Sequence, residues 1–213
     1  MKRILVVERE YGAGGGTIAR RLSERLGWKL YDQAFTEEIA KLANASPQVC
    51  QDREERVDSW LYRLAKVFWR GSHERNLQAP NLEIVDADCL IALSQTVAER
   101  LAEEGQCVIV GRGAAYFLRH RTDTYCVFLY APREFRYQRV LAGVKNEAEA
   151  LDLVDRVDEE RRAFIRHYFN AEWPVRYLYH AMLNTAAGEE ATVENILSLM
   201  ERAGRAGEEA PRP

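Results

Sequence analysis

Residues 10–17 read EYGAGGGT, and they sit between an apolar run, RILVV, and a helix-patterned stretch, TIARRLSERLG. This junction constrains the chain more than any other feature. RILVV, residues 3–7, is short, continuously apolar and partly β-branched, as a strand buried on both faces must be. After the loop, Ile18, Leu22 and Leu26 recur at helical spacing, and Gly27 supplies a stop. WKLYD, residues 28–32, then reads as a second short strand ending in the carboxylate Asp32. Strand, glycine loop, helix and strand in that order open a doubly wound α/β fold. The loop carries Gly12, Gly14, Gly15 and Gly16. Each glycine costs conformational entropy on folding, so a plain turn would use fewer. A loop that ends on a helix start presents unpaired N–H groups and the positive end of the helix dipole, which together form an anion site.

The same alternation continues. CVIVG (107–111) and TYCVFLYA (124–131) read as buried strands, and YHAMLNT (179–185) as a last one. Helical patterns cover 34–70, 83–104, 147–170 and the final VENILSLMERAG, and Pro132 opens another helix at its first turn, where a missing N–H costs little. GSHERNLQAPN (71–81) is polar and reads as a loop. No repeat or linker divides the chain. The expectation is one domain over 1–204 with a parallel sheet of about five strands, helices on both faces and a disordered tail at 205–213.

With 213 residues, 47% of them apolar, the chain can bury a core of this size. A net charge of −3 and a pI near 5.9 leave no general nucleic-acid footprint, so any anion site has to be built locally. The start MKRILVVER is too short and too charged for a secretory signal, and no apolar run reaches membrane-spanning length. A cytoplasmic protein with no membrane or nucleic-acid partner is therefore expected, as a monomer or a homodimer. Trp60, Phe68 and Trp69 either form an exposed patch or pack in the core. Cys50, Cys89, Cys107 and Cys126 contain no CxxC pair and read as thiols rather than a disulfide framework. The four histidines show no metal-ligand spacing.

Three readings of the loop are open at this level: a turn, a dinucleotide loop, or a phosphate-binding P-loop. Gly14-Gly15-Gly16-Thr17-Ile18-Ala19 satisfies G-x-G-x-x-A, and Asp32 could then serve a ribose. Against this, GAGGGT looks like the GAGKGT segment of nucleoside monophosphate kinases. The wider phrase VEREYGAGGGTIARRLSERLGWKLYD resembles the cytidylate kinase-like family of bacterial P-loop proteins, in which a loop of this type often lacks the lysine. CVIVGRGAAYFL (107–118) is similar to that family's strand and GRG segment. DEERRAF (158–164) with Tyr168-Phe169 resembles its lid helix, and YHAMLNT its final strand. These blocks occur in order across roughly residues 1–200.

The resemblance implies a P-loop kinase fold with a helical acceptor-binding insert at about 33–82 and a lid at about 145–172. It implies transfer of the ATP γ-phosphoryl group to CMP or dCMP with Mg²⁺. Gly12, Ala13, Gly14, Gly15, Gly16 and Thr17 would hold the ATP phosphates. Arg112, between Gly111 and Gly113 after a buried strand, would sit where ligands of such sheets bind and would grip the acceptor phosphate, with Gly113 beside it. Arg161 and Arg162 would close over the transferred group. Asp32 would meet the acceptor sugar or base, order a cation, or cap the next helix. Arg139 is a further cation that can face the site. No aspartate follows CVIVG, so no metal ligand is assigned.

Gly15 stands where such loops place a lysine, and Arg9 stands where they place their first glycine. A lysine of this kind follows charge into the transition state, and losing such a group costs on the order of 100- to 1,000-fold in rate. Three outcomes are open. Arg9 replaces the lysine, a lid arginine does, or the protein binds nucleotide with little or no transfer.

Overall fold

The computed structural model describes residues 2–45, 87–144 and 146–209. In chain order the described elements are β1 Ile4–Arg9, α1 Gly15–Leu26, β2 Lys29–Tyr31, α2 Gln33–Ala45, α3 Ala87–Glu104, β3 Cys107–Val110, α4 Ala114–Phe117, β4 Thr124–Tyr130, α5 Arg133–Leu141, α6 Glu147–Phe169, β5 Ala181–Asn184 and α7 Glu189–Glu209. Most of the expected insert, with Trp60, Phe68, Trp69 and the 71–81 loop, lies outside the described residues.

The strands form one five-stranded parallel sheet in the order β2-β3-β1-β4-β5. β1 is central, and its register sets Val7 beside Val110 on one side and Arg9 beside Leu129 on the other. It runs two residues past the apolar stretch, so Glu8 and Arg9 belong to the strand and are buried. This topology disposes of the dinucleotide reading. In that fold β1 lies next to β2, whereas here β3 separates them.

Alternating residues of each strand face opposite layers. On one side Leu5, Val7, Val108, Val110 and Val127 pack against Ile18, Ala19 and Leu22 of α1 and Val193, Ile196 and Met200 of α7. On the other, Ile4, Val6, Ile109 and Phe128 pack against Phe35 and Ile39 of α2, Leu93 and Val97 of α3, Ala114 and Ala115 of α4, and Phe164 of α6. A smaller cluster of Tyr11 with Val140, Ala150, Leu153, Val154 and Val157 docks α5 and α6 against the glycine loop.

α7 continues to Glu209, so residues 205–209 are helical where a disordered tail was expected. Cys107 and Cys126 are buried free thiols as expected, but Cys89 is disulfide-bonded. No helix among the described residues is long and apolar enough to cross a membrane.

Candidate phosphate-transfer site

The chain passes from β1 to β2 on one side of the sheet and from β3 to β4 across β1, so the connections after β1 and β3 leave toward opposite layers. A crevice opens at such a switch point, outside the carboxyl ends of the strands. Both glycine segments end there. Gly12 and Gly14 adopt φ of +79° and +76°, and Gly14 caps α1 without any side-chain hydrogen bond. The first intrahelical bond is Ile18 N to Gly14 O, at 3.1 Å. The amides of Gly15, Gly16 and Thr17 precede it and have no carbonyl within the helix to bond. No acidic residue occupies the first turn of α1. A phosphate chain is the natural complement of this arrangement.

After β3, Gly111, Arg112 and Gly113 take φ of +66°, +63° and +73°. For the two glycines this is an easy conformation; for Arg112 it is strained. The strained turn directs the guanidinium inward, where Arg112 is only 2% exposed and its Nη2 donates to Asp32 O at 3.4 Å. Burial lowers the Arg112 pKa to about 10, with Asp32 pulling the other way, so the group is charged at neutral pH.

Around it lies a buried set of charges: Glu8, Arg9, Asp32, Asp158 and Arg161. Arg9 is lowered to about 10, first by burial and then by Arg161, against the pull of Asp32 and Glu8. Burial raises Glu8 above the ordinary carboxylate range although Arg9, Arg161 and Arg112 all oppose the shift. Asp32 also lines a cavity of about 190 Å³ with Gly16, Thr17, Arg20, Leu30, Gln33 and Ala34. The residue after β2 and the start of α1 therefore border one space.

The loop is held from above by α5 and α6. Arg161 Nη1 donates to Arg9 O at 2.9 Å and to Asp158 Oδ1 at 3.1 Å. Tyr11 N–H donates to the same Asp158 oxygen at 2.9 Å. Arg136 Nη1 donates to Asp158 Oδ2 at 2.7 Å and to Tyr11 O at 3.1 Å. Arg139 reaches the loop too, because a Cβ on Gly14 would lie 2.7 Å from its Nη1, and the same nitrogen donates to Glu189 at 2.6 Å.

Of the residues singled out from the sequence, Asp32 and Arg161 thus lie close enough to Arg9 and Arg112 to act on the ionisation of both arginines, beside the loop Gly12–Thr17. Arg162 stands apart: its side chain is 48% exposed and pairs with Glu159 on its own helix. Glu8, Arg136 and Asp158 had not been assigned. Asp158 meets Arg161 at i, i+3 within its helix, a spacing the sequence shows, but its bonds to Tyr11 and Arg136 span 147 and 22 residues and leave no local trace.

The parallel sheet, the glycine loop at its switch point and the guanidinium-lined crevice define the kinase-type P-loop class. The sequence matches the cytidylate kinase-like family over residues 4–187, and the chain belongs to that family. No curated protein matches it. Its fold is shared with an uncharacterized protein from Eubacterium ventriosum (19% identity, TM-score 0.63, 94% of this chain and 99% of that one). It is also shared with a shikimate kinase from Acinetobacter baumannii (18%, 0.51, 95% and 94%) and a gluconokinase from Sinorhizobium meliloti (14%, 0.51, 98% and 98%).

Proposed function

We propose that the protein is an ATP-dependent phosphotransferase whose acceptor is a nucleoside monophosphate, CMP or dCMP. The observation that carries this reading is Arg112. A guanidinium is buried on a strained turn at the switch point, beside a loop built for a second polyanion. Phosphoryl transfer consists mainly of holding two anions together and neutralising charge, and a planar fork is suited to a terminal phosphate. Gly12–Thr17 bind the ATP phosphates through backbone amides. Arg112 and Gly113 take the acceptor phosphate, and Asp32 borders the acceptor side. Arg161 holds the loop in register through the Arg9 carbonyl and Asp158 rather than sweeping over it, and Arg162 joins the phosphates only if α6 moves.

Among the described residues no group of three or more His, Cys, Asp or Glu could hold a metal ion by itself. That suits Mg²⁺, which usually binds one or two protein oxygens and otherwise takes phosphates and water. Thr17 and Asp32, which border one cavity and carry a hydroxyl and a carboxylate, are the residues that would hold it. When bound it neutralises phosphate charge.

Asp32 also supports a second reading, a kinase for a small hydroxyl acceptor. A hydroxyl must lose its proton on attack and needs a base within reach, whereas an ionised phosphate does not. A coupled assay with MgATP against the nucleoside monophosphates, shikimate and gluconate separates the two. Turnover with CMP or dCMP is expected. Turnover with a hydroxyl acceptor alone favours the second reading. No turnover while ATP still raises the Tm makes the chain a nucleotide-binding protein that has lost transfer.

A further inference from the structure

Gly15 opens α1 in ordinary helical geometry, so its backbone does not require glycine. The room around it does. A Cβ at this position would lie 2.7 Å from Arg9 Cγ and 3.0 Å from Arg9 Cβ. Those atoms are close to the backbone of the central strand and cannot swing away as a side-chain tip can. Farther along the same side chain, a Cβ on Gly111 would lie 2.1 Å from Arg9 Nη1. The Arg9 stem therefore passes under the first residue of α1, and its guanidinium spans from the end of β1 to the end of β3. It is 5% exposed. Burying a guanidinium is costly unless charge and hydrogen bonds compensate. Here Asp32 and Glu8 act on it favourably, while Arg112 and Arg161 act against it. Packing alone would be served better by an apolar side chain.

We propose that Arg9 brings to the terminal phosphates of a bound nucleoside triphosphate, from beneath the loop, the positive charge that a loop lysine otherwise brings from within it, and that Gly15 is glycine because the stem of this side chain fills the space of its Cβ. The inference rests on the loop binding a triphosphate, as proposed above. It goes further in making residues 9 and 15 alternatives: an arginine under a glycine, or a glycine under a lysine. The pair explains both departures of this loop from the G-x-x-x-x-G-K pattern with one side chain. Arg9 supplies field rather than bond-making, so its effect scales with phosphate charge.

The test is a set of calorimetric titrations with ATP, ADP and inorganic tripolyphosphate on wild type, Arg9→Ala, Arg9→Lys, Gly15→Lys and the double variant Arg9→Gly/Gly15→Lys, with unliganded thermal unfolding of each. Arg9→Ala is expected to weaken ATP and tripolyphosphate about 10- to 100-fold and ADP less, the worth of one charge-assisted contact. Arg9→Lys should keep most of the affinity. Gly15→Lys alone should bind ATP worse than wild type, because its stem collides with Arg9, and the double variant should recover most of the loss seen in Arg9→Ala. The proposal is overturned if Arg9→Ala binds all three ligands as wild type does, if wild type binds none of them, or if the double variant is no better than Arg9→Ala. A wild type that binds in this pattern but phosphorylates no acceptor removes the kinase reading and leaves this inference standing. Normal transfer by Arg9→Ala removes this inference alone.

Discussion

Arg161 Nη1 donates to the Arg9 carbonyl at 2.9 Å, across 152 residues of chain. The bond ties the middle of α6 to the last residue of β1, where the glycine loop begins. Asp158, one turn earlier, takes the Tyr11 amide and the Arg136 guanidinium on its two oxygens. The loop thus inherits its position from a buried ionic cluster on two helices that follow it by more than 120 residues.

Asp158→Ala tests that dependence. It leaves the Arg136 and Arg161 guanidinia without their shared carboxylate and removes the acceptor of Tyr11 N–H. Breaking a buried pair from one side costs about 3–5 kcal/mol. A urea midpoint lowered to match, with a smaller loss in Asp158→Asn, which keeps an acceptor for Tyr11, is the expected result. Equal midpoints for wild type and the alanine variant would mean that the cluster does not hold the loop.

Arg112 separates stability from function. A non-glycine residue at φ +63° carries about 1–3 kcal/mol of strain, and its guanidinium is buried as well. Arg112→Gly relieves that strain but removes a buried cation from beside Asp32 and Glu8, two opposing effects on the Tm, while the KM for the acceptor phosphate should rise far more than the KM for ATP. A variant that loses ATP affinity and keeps its acceptor KM would refute the role given to Arg112.

The sheet and the glycine loop were legible because their physics is local. Strands covered on both faces must be continuous apolar runs, and a phosphate loop must spend glycines at one place. The end of β1 was not legible. Glu8 and Arg9 are charged, and charge reads as loop until the partners Arg112, Arg161 and Asp32 are known. DEERR at 158–162 was legible only in part. Of its two adjacent arginines, Arg161 fits the family's D-x-x-R spacing best, and the helix turns Arg161 into the cluster and Arg162 toward solvent. That choice depends on which face of α6 meets Tyr11 and Val140, a non-local contact.

Gly12 and Gly27 isolate what close packing demands of the loop. Both have positive φ, +79° and +66°. A Cβ on Gly27 would meet nothing within 4 Å, whereas one on Gly12 would lie 2.9 Å from the Arg136 carbonyl and 3.0 Å from Val140 Cγ2. Gly27→Ala should lose only the left-handed penalty, about 1–2 kcal/mol. Gly12→Ala should lose clearly more by the same denaturation measurement, and ATP should no longer raise its Tm. Equal losses would mean that α5 does not bear on the loop.

His180 gives the fold an acid-side dependence separate from the site. Its Nδ1 accepts the Cys126 N–H at 3.0 Å and its ring stacks on Tyr125 at 4.7 Å, so the neutral tautomer fits. Its pKa is lowered from the ordinary histidine value, first by burial and then by the Lys2 charge. A depressed histidine pKa means that the unfolded chain takes up the proton first as pH falls. Above the ordinary histidine pKa neither state is protonated and the shift has no effect. Below it the unfolded state binds more protons, so stability drops as pH falls from about 7 toward 5. His180→Asn retains a side-chain acceptor and does not titrate, and its Tm should be flatter than that of wild type across this window. Parallel Tm profiles for the two proteins would show that this ring does not link folding to pH.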